Sequence, residues 1–474
     1  MTETHKKIRV RFAPSPTGFL HFGGARTALF NWLFAKNHKG DFILRIEDTD
    51  KKRSLPEYEK DLIDGLKWLG LEWDEKPHKQ SERTKIYEKY LKKLLDEDKA
   101  YYCFCSKEEL EKDRQAMMAQ GLAPKYSGRC RHLLKEKVVQ KLKNKEQSVI
   151  RFKIPLTEVE FHDLIRGKIV FNSELIGDTV IAKSINSPVF IFAGVVDDYE
   201  MKITHIIRGE DHISNTPKQI LIQMALGFET PKYAHLPLIL APDKRKLSKR
   251  YTEISLNDFR KNGYLPEALI NFMALLGWHP KEDREVLTIE ELIKEFDIRR
   301  VQKGGAIFNL EKLEWLNAQH IKNLKTEILA KEIKKFIPES WPEKEEIFIK
   351  AVETEKNRMK RLTDFRELAD FFFDFPDYET EILFWRDLDK EKTKSNLKII
   401  YDELEKIFKV DFNKNKLENA IMPLTEVWGR GELLWPLRVS LSGKRASPGP
   451  FEIMDVLGKE ETLKRINMAI EKLG

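Results

Sequence analysis

The stretch "IRVRFAPSPTGFLHFGG", residues 8–24, decides how the chain begins to fold. Its first five residues alternate apolar and charged side chains, the period of a half-buried strand. The next twelve pack two prolines, three glycines, a threonine and one histidine into a turn, and His21 falls at the mouth of the helix-forming run that follows. A glycine-containing turn between strand and helix lets backbone N–H groups approach a phosphate closely, with the positive end of the helix dipole behind them. Taken alone, His21 reads more simply as a helix cap. The other strand ends shift that balance.

Three strands are expected to end in polar loops, "RFAPSPTGFLH", "LRIEDTD" and "IIRGEDH", and a fourth, "LPLIL", runs into "APDKRKLSKR". In open parallel sheets, ligands bind at the carboxyl ends of strands, near the point where strand order reverses. These loops are therefore expected to share one crevice. "KLSKR", Lys246 to Arg250, sets two lysines three apart around a serine. As a lone motif it is an ordinary solvated loop. Facing His21, it becomes a set of cationic donors able to offset charge developing on a phosphate leaving group.

From Ile8 to about Asp98, short strands alternate with amphipathic helices, as where "FILRI" precedes "YEKDLIDGLKWLG" with Leu62, Leu66 and Leu69 on one face. Between Lys99 and Pro188 the composition changes: all three cysteines, the charged helix "SKEELEKDRQAMMAQG" and the short strands "SVIRFKI" and "KIVF" fit an inserted domain. The α/β pattern resumes by "KITHIIRGEDHISNTPKQILIQMALG", whose helix opens on Asn215, Thr216 and Pro217. From about Leu256 onward helical runs dominate, and no repeat or low-complexity tract appears.

At 474 residues the chain is expected to hold about three domains, from a prior of ~150 residues each. Apolar residues at 41% and charged residues at 34% give a globular balance with a highly charged surface. The apolar run "VFIFAGVV" is far shorter than the ~20 residues of a membrane span. The amino-terminal residues have no apolar signal core, so a cytoplasmic address is expected. A net charge of +7 permits a nucleic-acid partner without requiring one.

At this point a resemblance is plain. "HFGG" resembles the HIGH signature of class I aminoacyl-tRNA synthetases, with glycine in the last place, and "KLSKR" resembles their KMSKS signature. "APSPTG", "RIEDTD", "VVDD" and "ITHIIRGEDHISNTP" are similar nearly word for word to bacterial-type glutamyl-tRNA synthetases, and the likeness runs to "PLRVSLSGKRASPGPFEIMDVLGK" at the C-terminal end. It implies an α/β Rossmann-like catalytic domain with an inserted α+β acceptor-binding domain, followed by an all-α anticodon-binding domain. The expected boundaries are 1–98 and 189–255 for the catalytic halves and 99–188 for the insertion. A helical stem-contact domain is expected over 256–325 and the anticodon-binding domain over 326–474.

The resemblance also implies the chemistry: the α-carboxylate of L-glutamate attacks the α-phosphorus of ATP, and the glutamyl group then passes to the terminal adenosine of tRNA(Glu). His21 would touch ATP phosphate, and Lys246 and Lys249 would neutralise the leaving pyrophosphate, with Mg²⁺ sharing that load. Thr17, Gly18, Gly23 and Ser248 would complete the ATP site. Arg11 and Arg208 would face substrate carboxylates and Glu47 the amino group, helped by Ala13 and Ser15. A bidentate arginine pair favours glutamate over glutamine, because the neutral amide cannot match two forks. Two departures stand out. Phe190 lacks the phenolic hydroxyl that usually contacts substrate, and Gly194 replaces a larger pocket residue. After the lysine loop, Tyr251, Thr252 and Glu253 stand where the family often has histidine, glycine and alanine.

Cys103 and Cys105 bracket one residue, and Cys130 and His132 repeat the gap farther on. Three thiols and an imidazole make a tetrahedral structural Zn²⁺ set, free buried thiols being the alternative. In the helical C-terminal region, Arg361 and Arg438 are the expected anticodon contacts on family position. A monomeric ligase is the leading reading. The alternatives are a paralogue that charges tRNA(Gln) with glutamate and a non-catalytic tRNA-binding protein of the same fold.

Overall fold

The computed structural model describes residues 6–245 and 255–474. They form two compact units, Met1–Phe259 with Leu269–Leu310, and Arg260–Ala268 with Glu311–Gly474.

In the first unit, β1 (Arg9–Phe12) leads through the proline-glycine turn into α1 (Phe22–Asn37). β2 (Asp41–Ile46) returns parallel to β1, and after α2 (Pro56–Trp68) the short β3 (His78–Lys79) pairs parallel with β2. The run "FILRI" is buried throughout, as expected of a parallel strand covered on both faces. The helix α3 (Thr84–Asp96) closes this half with Tyr87, Tyr90, Leu91 and Leu94 buried.

The expected insertion contains two β structures. β4 (Ala100–Cys103), β5 (Val149–Phe152), β8 (Thr179–Ser184) and β9 (Ser187–Pro188) make an antiparallel sheet. Between β4 and β5 lie α4 (Lys107–Ala119) and α5 (Lys135–Lys143); α4 opens on a Ser106–Glu109 capping box. The hairpin of β6 (Glu158–Asp163) and β7 (Gly167–Asn172) behaves differently. After α6 (Phe190–Glu200) come β10 (His205–Gly209), α7 (Thr216–Leu226) and β11 (Lys232–Leu236), and β6 pairs parallel with β11 at Asp163 and Tyr233. That hairpin therefore extends the sheet of the second α/β half. Thr204, just before β10, donates its N–H to Arg9 O at 2.9 Å, which draws β10 beside β1.

One expected strand is divided. "LPLIL" contributes the last residue of β11, then Pro237 and Leu238 outside any strand, then β12 (Ile239–Leu240), which pairs with β13 (Ala306–Ile307). Pro237 has no N–H to give a ladder, and the Leu238 N–H goes to the Glu210 carboxylate at 2.8 Å.

The second unit is helical, with long helices Lys390–Glu405, Lys414–Trp428 and Arg430–Ser442, and a last helical stretch Pro450–Lys472 that is broken at Gly458, whose φ is 74°. Its core is aromatic and aliphatic, including Phe365, Leu397, Leu437 and Ile466, with Trp341 stacked on Phe373 at 4.4 Å. Among the described residues no helix is long and apolar enough to cross a membrane.

Candidate active site

The carboxyl ends of β1, β2 and β10 open onto one cleft of about 1000 Å³ in the first unit. Local chemistry builds each wall. The turn after β1 is clipped to the end of β2 by the Glu47 N–H, which donates to Pro14 O at 2.9 Å. His21 is the N-cap of α1, its Nδ1 accepting from the Gly24 N–H at 3.1 Å. A ring whose Nδ1 accepts carries its proton on Nε2 when neutral, and desolvation lowers the His21 pKa even though ring surface stays open to the cleft. His21 thus both caps the helix and lines the cleft.

Ten residues expected at ATP or substrate line this cleft: Arg11, Ala13, Ser15, Gly18, His21, Gly23, Glu47, Phe190, Gly194 and Arg208. Thr17 does not; it is exposed, its N–H turned back to Ser15 O. Lys246, Ser248 and Lys249 lie outside the described residues. The chain on either side of them does reach the cleft, through Ile239 before and Ser255 after.

The polar floor is a buried charge network. Arg45 donates to Asp198 at 2.7 Å and to Glu47 at 3.1 Å, and Arg11 Nε donates to Asp198 at 3.0 Å. Burial alone would lower the Arg45 pKa, but Asp198, Glu47 and Asp197 outweigh it and raise it. Burial would raise the Asp198 carboxyl, yet Arg11 and Arg45 hold it below the usual range. Glu47 differs: burial raises its carboxyl against the opposing pull of Arg45 and Arg11. A substrate ammonium would restore that missing stabilisation.

Arg208 stands apart. It is buried, with Nε on His235 Nε2 at 3.3 Å and Nη2 on Thr216 Oγ1 at 2.8 Å, and among the described residues it has no carboxylate partner. Desolvation lowers its pKa to about 10. A buried unpaired cation is costly, and an anionic ligand group removes that cost.

Arg45 and Asp198 stand inside "RIEDTD" and "VVDD", motifs that by themselves assign them no role. The signal was present, because an arginine inside "FILRI" and acids ending "VFIFAGVVDD" put charges in apolar runs, where they need partners. Gln219 also lines the cleft, its Oε1 buried without a hydrogen-bond partner. Phe190 offers only its ring, edge-on to His212 at 6.0 Å.

The three cysteines come together: their sulfurs lie within 4.8 Å of one another, Cys105 and Cys130 at 3.6 Å. A disulfide needs about 2.05 Å, whereas sulfurs 2.3 Å from a tetrahedral zinc lie about 3.8 Å apart. The donor set therefore fits zinc. His132 does not join it and corrects the sequence expectation: it is exposed and stands outside the group of ligand atoms that the three sulfurs form. The group that faces the sulfurs is the Tyr126 hydroxyl, 3.3 Å from Cys103 Sγ and 3.4 Å from Cys105 Sγ.

In the helical unit, Arg361 lies 3.4 Å from the Asp364 carboxylate. Arg438 lies over the Trp435 ring at 4.7 Å and donates to Arg445 O.

Residues 7–315 match the family described as tRNA synthetases class I (E and Q), catalytic domain, and residues 328–470 match the anticodon binding domain. Glutamate–tRNA ligase 2 of Thermoanaerobacter pseudethanolicus is 45% identical over 475 residues, 98% of each chain. Glutamate–tRNA ligase 2 of Caldicellulosiruptor saccharolyticus is 43% identical over 481 residues, 98% of this chain and 99% of that one. A crystal structure of a glutamate tRNA ligase from Elizabethkingia meningosepticum, in complex with its amino acid, superposes with a TM-score of 0.88 at 37% identity, covering 99% of this chain and all of that one. With its strand-end cleft, its capping His21 and this end-to-end likeness, the chain belongs to the class I tRNA synthetases of the glutamate and glutamine type.

Proposed function

We infer that the protein is a glutamate–tRNA ligase, which activates L-glutamate with ATP and esterifies it to the terminal adenosine of tRNA(Glu). The observation that carries the acidic substrate is Arg208, a buried guanidinium without a carboxylate partner among the described residues, in the same cleft as Arg11 and Glu47. The substrate carboxylates face Arg208 and the terminal nitrogens of Arg11, and its ammonium faces Glu47, with Ala13 and Ser15 alongside. Phe190 and Gly194 themselves offer no side-chain hydrogen bond, and the polar group beside Gly194 is the Gln219 amide, so the charged discrimination falls to the arginines.

ATP lies along the turn after β1, over Gly18 and Gly23. The His21 Nε2–H donates to phosphate at the N-terminus of α1, where the helix dipole favours negative charge. Lys246 and Lys249, with Ser248, meet the departing pyrophosphate. Both steps are displacements governed by positioning and charge stabilisation. Magnesium, arriving with the triphosphate, supplies charge neutralisation. Asp211 is the only carboxylate lining the described cleft that is not tied to an arginine, and so is the group free to reach the ion. Zinc held by Cys103, Cys105 and Cys130, with Tyr126 as the fourth donor, would be structural, since four protein ligands leave no open position.

The helical unit reads the anticodon, with Arg361 and Arg438 as contacts. ATP-dependent charging of purified tRNA(Glu) and tRNA(Gln), with glutamate and glutamine supplied separately, tests this reading. Glutamate on tRNA(Glu) is expected. Glutamate on tRNA(Gln) as well would identify the non-discriminating form, and no charging at all would leave only an RNA-binding role.

A further inference from the structure

Behind Arg208 lies a buried polar chain contributed by three neighbouring strands. Asp163 at the end of β6, His235 on β11 and Arg208 on β10 are 0%, 0% and 8% exposed. Asp163 Oδ2 sits 2.7 Å from His235 Nδ1 and also accepts the His235 backbone N–H at 3.0 Å. Its other oxygen accepts the backbone N–H groups of Ile165 and Arg166. Burial would raise this carboxyl, but the bonds from His235 and Arg166 outweigh it and keep it ionised. An ionised carboxylate only accepts, so His235 Nδ1 carries the ring proton and Nε2 presents a lone pair. Burial lowers the His235 pKa, with Asp163 opposing and Arg208 assisting, which keeps the ring neutral. That lone pair faces two donors, the Arg208 Nε–H at 3.3 Å and the Thr216 hydroxyl at 3.0 Å, while Arg208 Nη2 donates to Thr216 Oγ1, whose own proton is shared between His235 Nε2 and His212 O.

We propose that Arg208 takes the side-chain carboxylate of the amino-acid substrate and that Asp163 and His235 are positioning residues that aim its guanidinium there; this rests on the reading above that Arg208 faces a substrate carboxylate. Two of the five guanidinium N–H groups are tied back, which fixes the plane of the fork and leaves three for the ligand. The interposed imidazole decides the arrangement. If Asp163 touched Arg208 directly, a protein carboxylate would compete with the substrate's for the same fork. With a neutral ring between them, Arg208 keeps its charge uncompensated while its orientation is set. The aspartate also fixes the ring's tautomer and strengthens Nε2 as an acceptor, as carboxylates do behind metal-bound histidines.

Two isosteric substitutions separate orientation from folding. His235→Asn keeps an amide donor where Nδ1 meets Asp163 but removes the acceptor at Nε2. His235→Gln places an amide oxygen near Nε2 and gives up the bond to Asp163. Pyrophosphate exchange in the full chain, with tRNA(Glu) present, gives KM for glutamate and for ATP and the inhibition constant of glutamine. For His235→Asn, a glutamate KM raised about tenfold is expected, with ATP KM unchanged and the glutamate-to-glutamine preference falling by the same factor. His235→Gln should recover most of that preference. Equal effects of the two variants, or parallel rises in both KM values, would overturn the proposal. Arg208→Lys is the control: if it leaves the preference intact, the assignment of Arg208 itself fails. If Arg208→Lys abolishes the preference while His235→Asn spares it, only the positioning role fails.

Discussion

His21 and Ser255 form an isolated antiparallel bridge, and the neighbouring Leu256 N–H donates to Leu20 O at 2.9 Å. The first described residue after the "KLSKR" segment is thus fastened to the residue that caps α1. Two residues far apart in the chain, His21 and Ser255, share one cleft wall, held there by backbone hydrogen bonds.

His21→Asn separates the two jobs of this histidine. Asparagine is a good N-cap and keeps an acceptor for the Gly24 N–H, but it cannot reproduce the Nε2–H aimed at phosphate. Stability is expected to change by less than about 0.5 kcal/mol, while glutamate-dependent pyrophosphate exchange drops on the order of a hundredfold, since one lost donor costs ~3 kcal/mol. Loss of stability with unaltered exchange per folded molecule would reduce His21 to a cap.

Lys249→Ala tests the basic loop by function alone. ATP binding, measured by equilibrium dialysis, is expected to persist, and pyrophosphate exchange to fall on the order of a hundredfold, because the lysine acts on charge that develops only as the leaving group departs. Unchanged exchange in this variant removes the lysine from the reaction.

His205 gives a pH dependence with a defined sign. Its Nδ1 lies 2.9 Å from Thr204 Oγ1 and its ring packs at 5.0 Å against Phe34. Desolvation first, then the charges of Lys232 and His38, lower its pKa from 6.5 to about 4. Below 6.5 the unfolded chain takes up a proton that the native state refuses. The stability His205 contributes is therefore fully present above pH 6.5 and is lost as pH falls from there toward 4. Urea midpoints measured across that window should fall more steeply for the natural chain than for His205→Asn; identical slopes would show that the ring titrates normally.

The strand-turn-helix at residues 8–24 was legible because each device in it is local: alternation for β1, prolines and glycines for the turn, an apolar run for α1. The convergence of strand-end loops was legible from the general behaviour of parallel sheets. What escaped was set by tertiary partners. "LPLIL" has strand composition, yet Pro237 and the Glu210 carboxylate divide it. Cys130 and His132 repeat the spacing of Cys103 and Cys105, but spacing does not say which way a ring points, and a tyrosine within an unremarkable loop took the place by the sulfurs. Asp163 and His235 meet across β6 and β11, a pairing that neither sequence pattern announces.

The cysteine cluster separates two candidate fourth ligands. Tyr126 also accepts the guanidinium of Arg151 over its ring at 3.8 Å and takes the Cys130 backbone N–H at 3.0 Å, so its hydroxyl is held beside the sulfurs. Purified protein is expected to carry one zinc per chain by elemental analysis, and Cys105→Ser to lose it together with the stability of the surrounding antiparallel sheet. His132→Ala should keep its zinc. Tyr126→Phe should weaken retention against a chelator on the order of ten- to a hundredfold, the scale on which ligand-supporting groups act in metal sites. Zinc lost from His132→Ala and kept by Tyr126→Phe would restore the imidazole as ligand, and zinc-free protein that folds unchanged would leave the three cysteines as buried thiols.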